Sequence, residues 1–176
     1  MAQRKVQKST RVFDGWILSV RVDEVDVGEG VIAPREVVEH KPAVSILPID
    51  GDGNVYLVRQ YRHAVGQEMI EAPAGLIEEG ETPEQAALRE LREETGAIGT
   101  VESLGIYVPT PGYCEEIIHL FLARVTSFGE TDPDDDEFLQ TIKLPFDEFY
   151  DQVRDGTLRD GKTIALALRS APRPNL

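Results

Sequence analysis

The stretch from Gly75 to Ala97 constrains this chain more than any other. It begins Gly75-Leu76-Ile77-Glu78-Glu79-Gly80-Glu81, passes through Thr82-Pro83-Glu84-Gln85, and ends Arg89-Glu90-Leu91-Arg92-Glu93-Glu94-Thr95-Gly96-Ala97. Thr82, Pro83 and Gln85 spell a helix start: an N-cap, a proline at the first helical position, and a capping box. Gly96 fits the position that stops the helix. Ala87 and Leu91 supply its buried stripe. Gly80 allows the preceding loop to turn. Gly75 follows a strand and is expected to take a backbone geometry closed to other residues. A loop and helix are thus specified from end to end.

Glu90, Glu93 and Glu94 are spaced i, i+3, i+4 and stack on one face of that helix. Like charges so placed repel by roughly 0.2–0.5 kcal/mol per i,i+4 pair. A divalent cation reverses the sign of that cost. Arg89 is placed to pair with Glu93 and fix its carboxylate, while Glu90 and Glu94 form a second i,i+4 pair aimed at the cation. A loop carbonyl could complete the donor set. Oxygen-only ligands favour Mg²⁺ or Mn²⁺, and no Cys/His cluster points to zinc. Metal with carboxylates is the chemistry of phosphate esters and anhydrides. A bare Glu-rich helix is usually a solvated face. Here the glycines, the helix start and the arginine are specified together.

The length of 176 residues suits one domain, or one with a small extension. A net charge of −14 disfavours a nucleic-acid partner, which needs a basic surface. A small anionic substrate stays compatible, because a metal neutralises charge locally. No apolar run reaches the length of a membrane span, and Met1 to Thr10 is polar and basic, without a secretory core. The single cysteine, Cys114, allows no internal disulfide, so a reducing, cytoplasmic setting is expected.

Val20, Val22, Val25 and Val27 alternate with polar residues in two phases, and Arg35–His40 and Ala43–Ile49 follow as strands. Asp50-Gly51-Asp52-Gly53-Asn54 is a turn, with Val55–Tyr61 returning. Further strands are expected at Met69–Ala72, Val101–Val108, Ile117–Val125 and Thr141–Leu144. Helices are expected at Phe146–Arg154 and Lys162–Arg169. The mixture lacks regular βαβ alternation and reads as α+β.

The stretch resembles the Nudix box, G-x5-E-x7-R-E-U-x-E-E-x-G-U with U apolar, at every charged and glycine position; the last U is the small Ala97. That resemblance implies an α/β/α sandwich around a mixed β-sheet, and hydrolysis of a nucleoside diphosphate linked to another moiety. It implies that Glu90, Glu93 and Glu94 ligate Mg²⁺ or Mn²⁺, with the main-chain carbonyl of Ala74 beside them. Arg59-Gln60-Tyr61-Arg62, Glu71-Ala72-Pro73-Ala74-Gly75, Thr110-Pro111-Gly112-Tyr113, Arg35–His40 and Asp160-Gly161-Lys162-Thr163 resemble the ADP-ribose pyrophosphatase branch.

The branch implies an N-terminal antiparallel β-subdomain, residues 1–42, that pairs two subunits into a homodimer, and a hydrolase domain, residues 43–176. Arg62 matches a phosphate contact. Glu71 matches an acid beside the site, with a strand-end ion pair as an equal reading. Arg35 is a candidate nucleotide contact and Trp16 a candidate for stacking on the base, against structural readings of each.

The run Asp132-Pro133-Asp134-Asp135-Asp136-Glu137 is not an EF-hand, since its sixth position is Glu137 and its twelfth Lys143. In the resembled branch a loop here carries a catalytic glutamate, and Glu137 is the best match. Glu137 and Glu93 are the expected catalytic carboxylates. The substrate implied is ADP-ribose. GDP-mannose or another nucleoside diphosphate sugar is the alternative, and a non-catalytic nucleotide-sugar-binding regulator stands behind both.

Overall fold

The computed structural model describes residues 4–132 and 138–171. They fall into two compact units. The first comprises the chain up to Pro42 together with Val108–Ile117; the second comprises Ala43–Tyr107 and the chain from Ile118 onward.

The first unit is an antiparallel meander of β1 (Val6–Asp14), β2 (Leu18–Gly28) and β3 (Val31–His40), in that order. Glu29 and Gly30 close the β2–β3 turn, both at positive φ (55° and 78°), as a tight hairpin of this twist requires. The two hydrophobic phases read in the sequence belong to the single strand β2. The change of phase falls where β1 carries an irregularity between Val6 and Lys8, opposite Glu24 and Val25. Strand β1 itself, every residue exposed, has no period-2 pattern and was not foreseen.

Segment Val108–Ile117 runs beside β3. The Val38 amide donates to the Tyr113 carbonyl (2.7 Å) and the Glu115 amide to the Val38 carbonyl (3.1 Å). Arg21 ties Glu115, Glu39 and the buried Asp23 together at 3.0–3.1 Å.

The second unit is built on β4 (Ala43–Ile49), β5 (Asn54–Arg62), a 3₁₀ turn at His63–Val65, β6 (Gln67–Glu71), β7 (Ala74–Leu76), α1 (Pro83–Thr95), β8 (Ala97–Tyr107), β9 (Ile118–Phe128), β10 (Gln140–Pro145), α2 (Phe146–Arg154) and α3 (Gly161–Ser170). The sheet order is β10-β5-β4-β9-β8, with β6 on β5 and β7 on β4. Strands β4 and β9 run parallel and the other pairs antiparallel, so the sheet is mixed. Central β4 is buried along six of its seven residues, which explains its nearly continuous apolar run.

One face of the sheet packs Val44, Ile46, Phe121 and Ala123 against Ala86, Ala87 and Leu91 of α1. The other packs Leu47, Leu57 and Leu120 against Phe149 of α2, Leu158, and Leu166 and Ala167 of α3. Each such fully buried Leu or Phe contributes about 1.5–3 kcal/mol. The result is the expected helix–sheet–helix sandwich, with a three-stranded antiparallel sheet at the N-terminus. Both faces of the sheet are sealed, which leaves β7, the loop after it and the upper face of α1 to carry chemistry.

Candidate active site

Helix α1 is fixed at both ends by the residues that announced it. Thr82 Oγ1 accepts from the Gln85 amide (3.3 Å) and Gln85 Oε1 accepts from the Thr82 amide (2.8 Å), completing the capping box with Pro83 in the first turn. Gly96 adopts φ 68° and its amide donates to the Arg92 carbonyl (2.8 Å). Its own carbonyl accepts from Gly129, at 2.7 Å. Ala87 and Leu91 anchor the apolar face, and so the acidic face has one possible orientation.

On that face Glu90 and Glu94 are buried, at 8% and 2% exposure, whereas the side chain of Glu93 stays one-third exposed. Glu94 Oε2 accepts from the Ala74 amide of β7 (3.2 Å), which ties the helix to the strand. Arg89 is the hub. Its Nη1 donates to Glu90 Oε1 (2.7 Å) and Glu93 Oε2 (3.0 Å). Its Nε and Nη2 grip Glu81 at 2.9 and 3.0 Å, and Nη2 also donates to the Leu76 carbonyl (2.9 Å). The Arg89–Glu93 pair was legible from i,i+4 spacing; the Glu81 and Glu90 partners were not. The hydrogen bonds from Arg89 and the amide of Glu78 pull the Glu81 carboxyl down to about 2, and those carboxylates raise Arg89 above the usual guanidinium range, Glu81 foremost.

Gly75 corrects one expectation. Its φ is not positive, so the backbone there is open to any residue. What it provides is space: a Cβ would lie 1.9 Å from Glu90 Oε1. Gly80, at φ 88°, does turn the loop as expected.

A second cluster adjoins the first through the short link Glu71-Ala72-Pro73-Ala74. Arg62, at the end of β5, forms a two-pronged pair with the buried Glu71, Nε on Oε1 at 2.9 Å and Nη2 on Oε2 at 2.8 Å. Lys162 of α3 donates to the same Glu71 Oε2 and to Asp160 Oδ1, the latter at 3.0 Å. Burial pushes the Glu71 carboxyl up, but the hydrogen bonds and charges of Arg62 and Lys162 outweigh it and hold the group below its ordinary range. The hydrogen bonds that Arg62 donates to Glu71, against the cost of burial, raise Arg62, with Asp160 and Glu94 adding to the effect across space.

Arg62, Glu71, Ala74, Glu90, Glu93 and Glu94 therefore all belong to the second unit and to two adjoining clusters. Arg35 and Trp16 belong to the first unit. Arg35 is exposed on β3, where its Nη1 donates to the Pro34 carbonyl (2.7 Å), and Trp16 is fully exposed between β1 and β2. Glu137 lies outside the described residues. The chain reaches that segment from Asp132, whose amide donates to the Glu93 carbonyl at 3.0 Å. In the sequence Lys162 opens an expected helix and shares a flanking motif with Asp160, but nothing local links it to Glu71, 91 positions away.

Among the described residues, no three acidic, histidine or cysteine side chains converge as they stand into a metal-binding group. The arrangement explains why: Arg89 draws Glu81, Glu90 and Glu93 toward itself, and the Ala74 amide holds Glu94. The donor chemistry nevertheless fits a hard divalent cation. It is oxygen-only and carries more carboxylates than cationic partners, and the cradle at Gly75 has no side chain to obstruct Glu90.

Known proteins match this chain along nearly its whole length. The model of the NUDIX domain matches residues 39–167. The chain is 36% identical to the methanol dehydrogenase activator of Bacillus methanolicus, over 92% of this chain and 89% of that protein. It is 32% identical to the ADP-ribose pyrophosphatase of Bacillus subtilis (strain 168), with the same coverage. A crystal structure of an ADP compounds hydrolase superposes with a TM-score of 0.85 over 96% of this chain and 92% of that one; at 21% identity it establishes the shared fold.

Proposed function

We infer that this chain, which belongs to the Nudix family of hydrolases, splits the pyrophosphate of ADP-ribose into AMP and ribose 5-phosphate. The observation that supports the reading is the acidic face of α1: three glutamates of an unbroken box on one helix face, Glu90 and Glu93 held by Arg89 and Glu94 by the Ala74 amide. A relative similar along almost the whole chain is an ADP-ribose pyrophosphatase, which favours that substrate.

In this reading Glu90, Glu93, Glu94 and the Ala74 carbonyl would hold Mg²⁺ or Mn²⁺. A bound divalent cation supplies neutralisation of the diphosphate and activation of water at neutral pH. Arg62 grips phosphoryl oxygens, its guanidinium aimed by Glu71, and stabilises the charge that develops there. Water is the nucleophile. Glu137 orients it and accepts its proton as it attacks phosphorus, while the far phosphate leaves on its own oxygen. No covalent intermediate with the protein is needed.

The N-terminal unit is assigned to pairing with a second copy. Val12, Phe13, Ile17, Val31 and Ile32 are exposed on its small sheet and its turns, an apolar display that a partner subunit would cover. Arg35 and Trp16 are then available as nucleotide contacts. The proposed setting is the cytoplasm; among the described residues no helix is long and apolar enough to cross a membrane.

The test is hydrolysis of ADP-ribose, GDP-mannose, UDP-glucose, NADH and ATP with Mg²⁺. Preference for ADP-ribose, AMP as product and loss on chelation are expected. Preference for GDP-mannose would keep the chemistry and replace the substrate. Tight binding without turnover of any member would overturn the hydrolase assignment.

A further inference from the structure

We propose that Lys162 is a positioning residue for Arg62, acting through the Glu71 carboxylate. The proposal rests on the reading of Arg62 as a phosphate contact. Glu71 is buried and engaged on both oxygens: Arg62 takes Oε1 and Oε2 with Nε and Nη2, and Lys162 also takes Oε2. Lys162 is held in turn by Asp160 Oδ1 at 3.0 Å. The four charges alternate in sign along the series Arg62, Glu71, Lys162, Asp160, and so no member is buried without an opposite neighbour.

Exposure separates the two cations. The Arg62 side chain is 42% exposed, within reach of a ligand, whereas that of Lys162 is 12% exposed and lies behind Glu71. A carboxylate bound on one side only can swing about its own axis; one clamped between an arginine and a lysine cannot. With Nε and Nη2 committed to Glu71, the third nitrogen of Arg62, Nη1, points in a direction fixed by that carboxylate. Lys162 thereby sets the aim of a guanidinium it does not touch.

The structural duties of this corner are carried by other atoms. Asp160 Oδ2 caps α3, accepting from the Thr163 amide (2.9 Å) and Oγ1 (2.6 Å), and Thr163 Oγ1 accepts from the Ala72 amide (2.7 Å). These bonds fasten α3 to the end of β6 without Lys162. Removing the ammonium therefore loosens Glu71 while the helix stays docked.

The experiment is a double-mutant cycle on the full chain with ADP-ribose and Mg²⁺. Lys162→Met is expected to lower kcat/KM about tenfold, carried more by KM than by kcat, and Lys162→Arg to restore most of it. In an Arg62→Lys background, where the two-pronged fork is gone, the same change is expected to cost about twofold or less. A loss of equal size in both backgrounds would overturn the proposal, as would a Lys162→Met enzyme with wild-type kcat/KM. Arg62→Lys alone with wild-type kcat/KM would instead overturn the phosphate reading beneath it. Should Lys162→Met fold poorly by circular dichroism, Lys162→Gln, uncharged but able to hydrogen-bond, carries the same cycle.

Discussion

Replacing Gly75 by alanine tests whether the carboxylates of α1 must sit where they do. A Cβ on Gly75 would lie 1.9 Å from Glu90 Oε1, 2.2 Å from its Cδ and 2.5 Å from Oε2. Side-chain carbons do not approach other atoms closer than 3.0 Å, so Oε1 must retreat by at least 3.0 − 1.9 = 1.1 Å. Gly75 has no positive φ, and alanine therefore brings no backbone strain. The atoms that yield are the end of a flexible side chain.

Stability and activity should then part company. Loosening the Arg89–Glu90 contact costs on the order of 1 kcal/mol. The stiffer unfolded chain returns about 0.4–1 kcal/mol. Net stability stays close to the parent, with Tm moving by less than about 4 °C. Displacement of a positioned group by 1 Å, in contrast, costs about a hundredfold in rate. The assay is AMP release from ADP-ribose under saturating Mg²⁺, paired with a thermal melt of the same preparation. Gly75→Ala with kcat/KM within about threefold of wild type would refute the argument, since it would mean the site tolerates a shift of this size. A collapse in Tm would refute it differently, by making Gly75 a requirement of the fold.

Two further outcomes follow from the same geometry. Gly96→Ala should cost about 2 kcal/mol or more in urea unfolding, because φ is 68° and a Cβ would meet the Gly129 carbonyl oxygen at 2.5 Å; a loss under about 0.5 kcal/mol would refute this. Asp50 accepts from the Asn54 amide (2.9 Å) and from Tyr56 Oη (2.8 Å) and pairs with Lys143 (3.1 Å), which holds its carboxyl well below the ordinary range, the Asn54 amide foremost. Its stabilisation is therefore present above the unfolded value, near pH 4, and fades as pH falls toward the depressed folded value; the stability gap between wild type and Asp50→Asn should narrow below about pH 4, and a gap constant from pH 7 to pH 3 would refute the assignment.

Legibility followed the range of the interaction. Helix α1 was readable because its cap, first turn, stripe and stop are neighbours in sequence, and each obeys a local rule. Helix α2 matches its expected bounds, Phe146–Arg154, although no side chain caps its start. Strand β1 was not, since a fully exposed strand has no face to bury and so no alternation to read. Three-residue β7 is too short to show a period, and it exists because β4 offers Ala43, Val44 and Ser45 as partners. In the site, the residue types were in view but their pairings were not. Arg62 and Glu71 lie on paired strands but opposite Gln67 and Val58, so they meet only through their long side chains, and Lys162 joins them only once α3 has packed on the sheet. At Gly75 the sequence and the structure point to different constraints. Sequence suggested an unusual backbone, whereas the constraint is a carboxylate arriving from a helix that begins eight residues later.

That carboxylate shows how the fold divides labour among three glutamates that look equivalent in sequence. Glu94 is bound to the Ala74 amide, so the central sheet sets its position through β7. Glu90 is confined by Gly75 on one side and Arg89 on the other. Glu93 is one-third exposed, with Arg89 as its charged partner. Burying Glu90 and Glu94 carries a desolvation cost that water cannot offset, and Arg89 with the Ala74 amide offsets part of it. The two buried carboxylates are thus desolvated by folding itself, but as they stand they face Arg89 and the Ala74 amide, so a hard ion would have to compete with those partners for them. Glu93 keeps freedom to adjust. A helix with its acids exposed on all sides would be more soluble and easier to form, but it would have to bear both costs, desolvation and ordering, at the moment of binding. Here folding of the sandwich bears them in advance, through Leu91 and Ala87 on the opposite face.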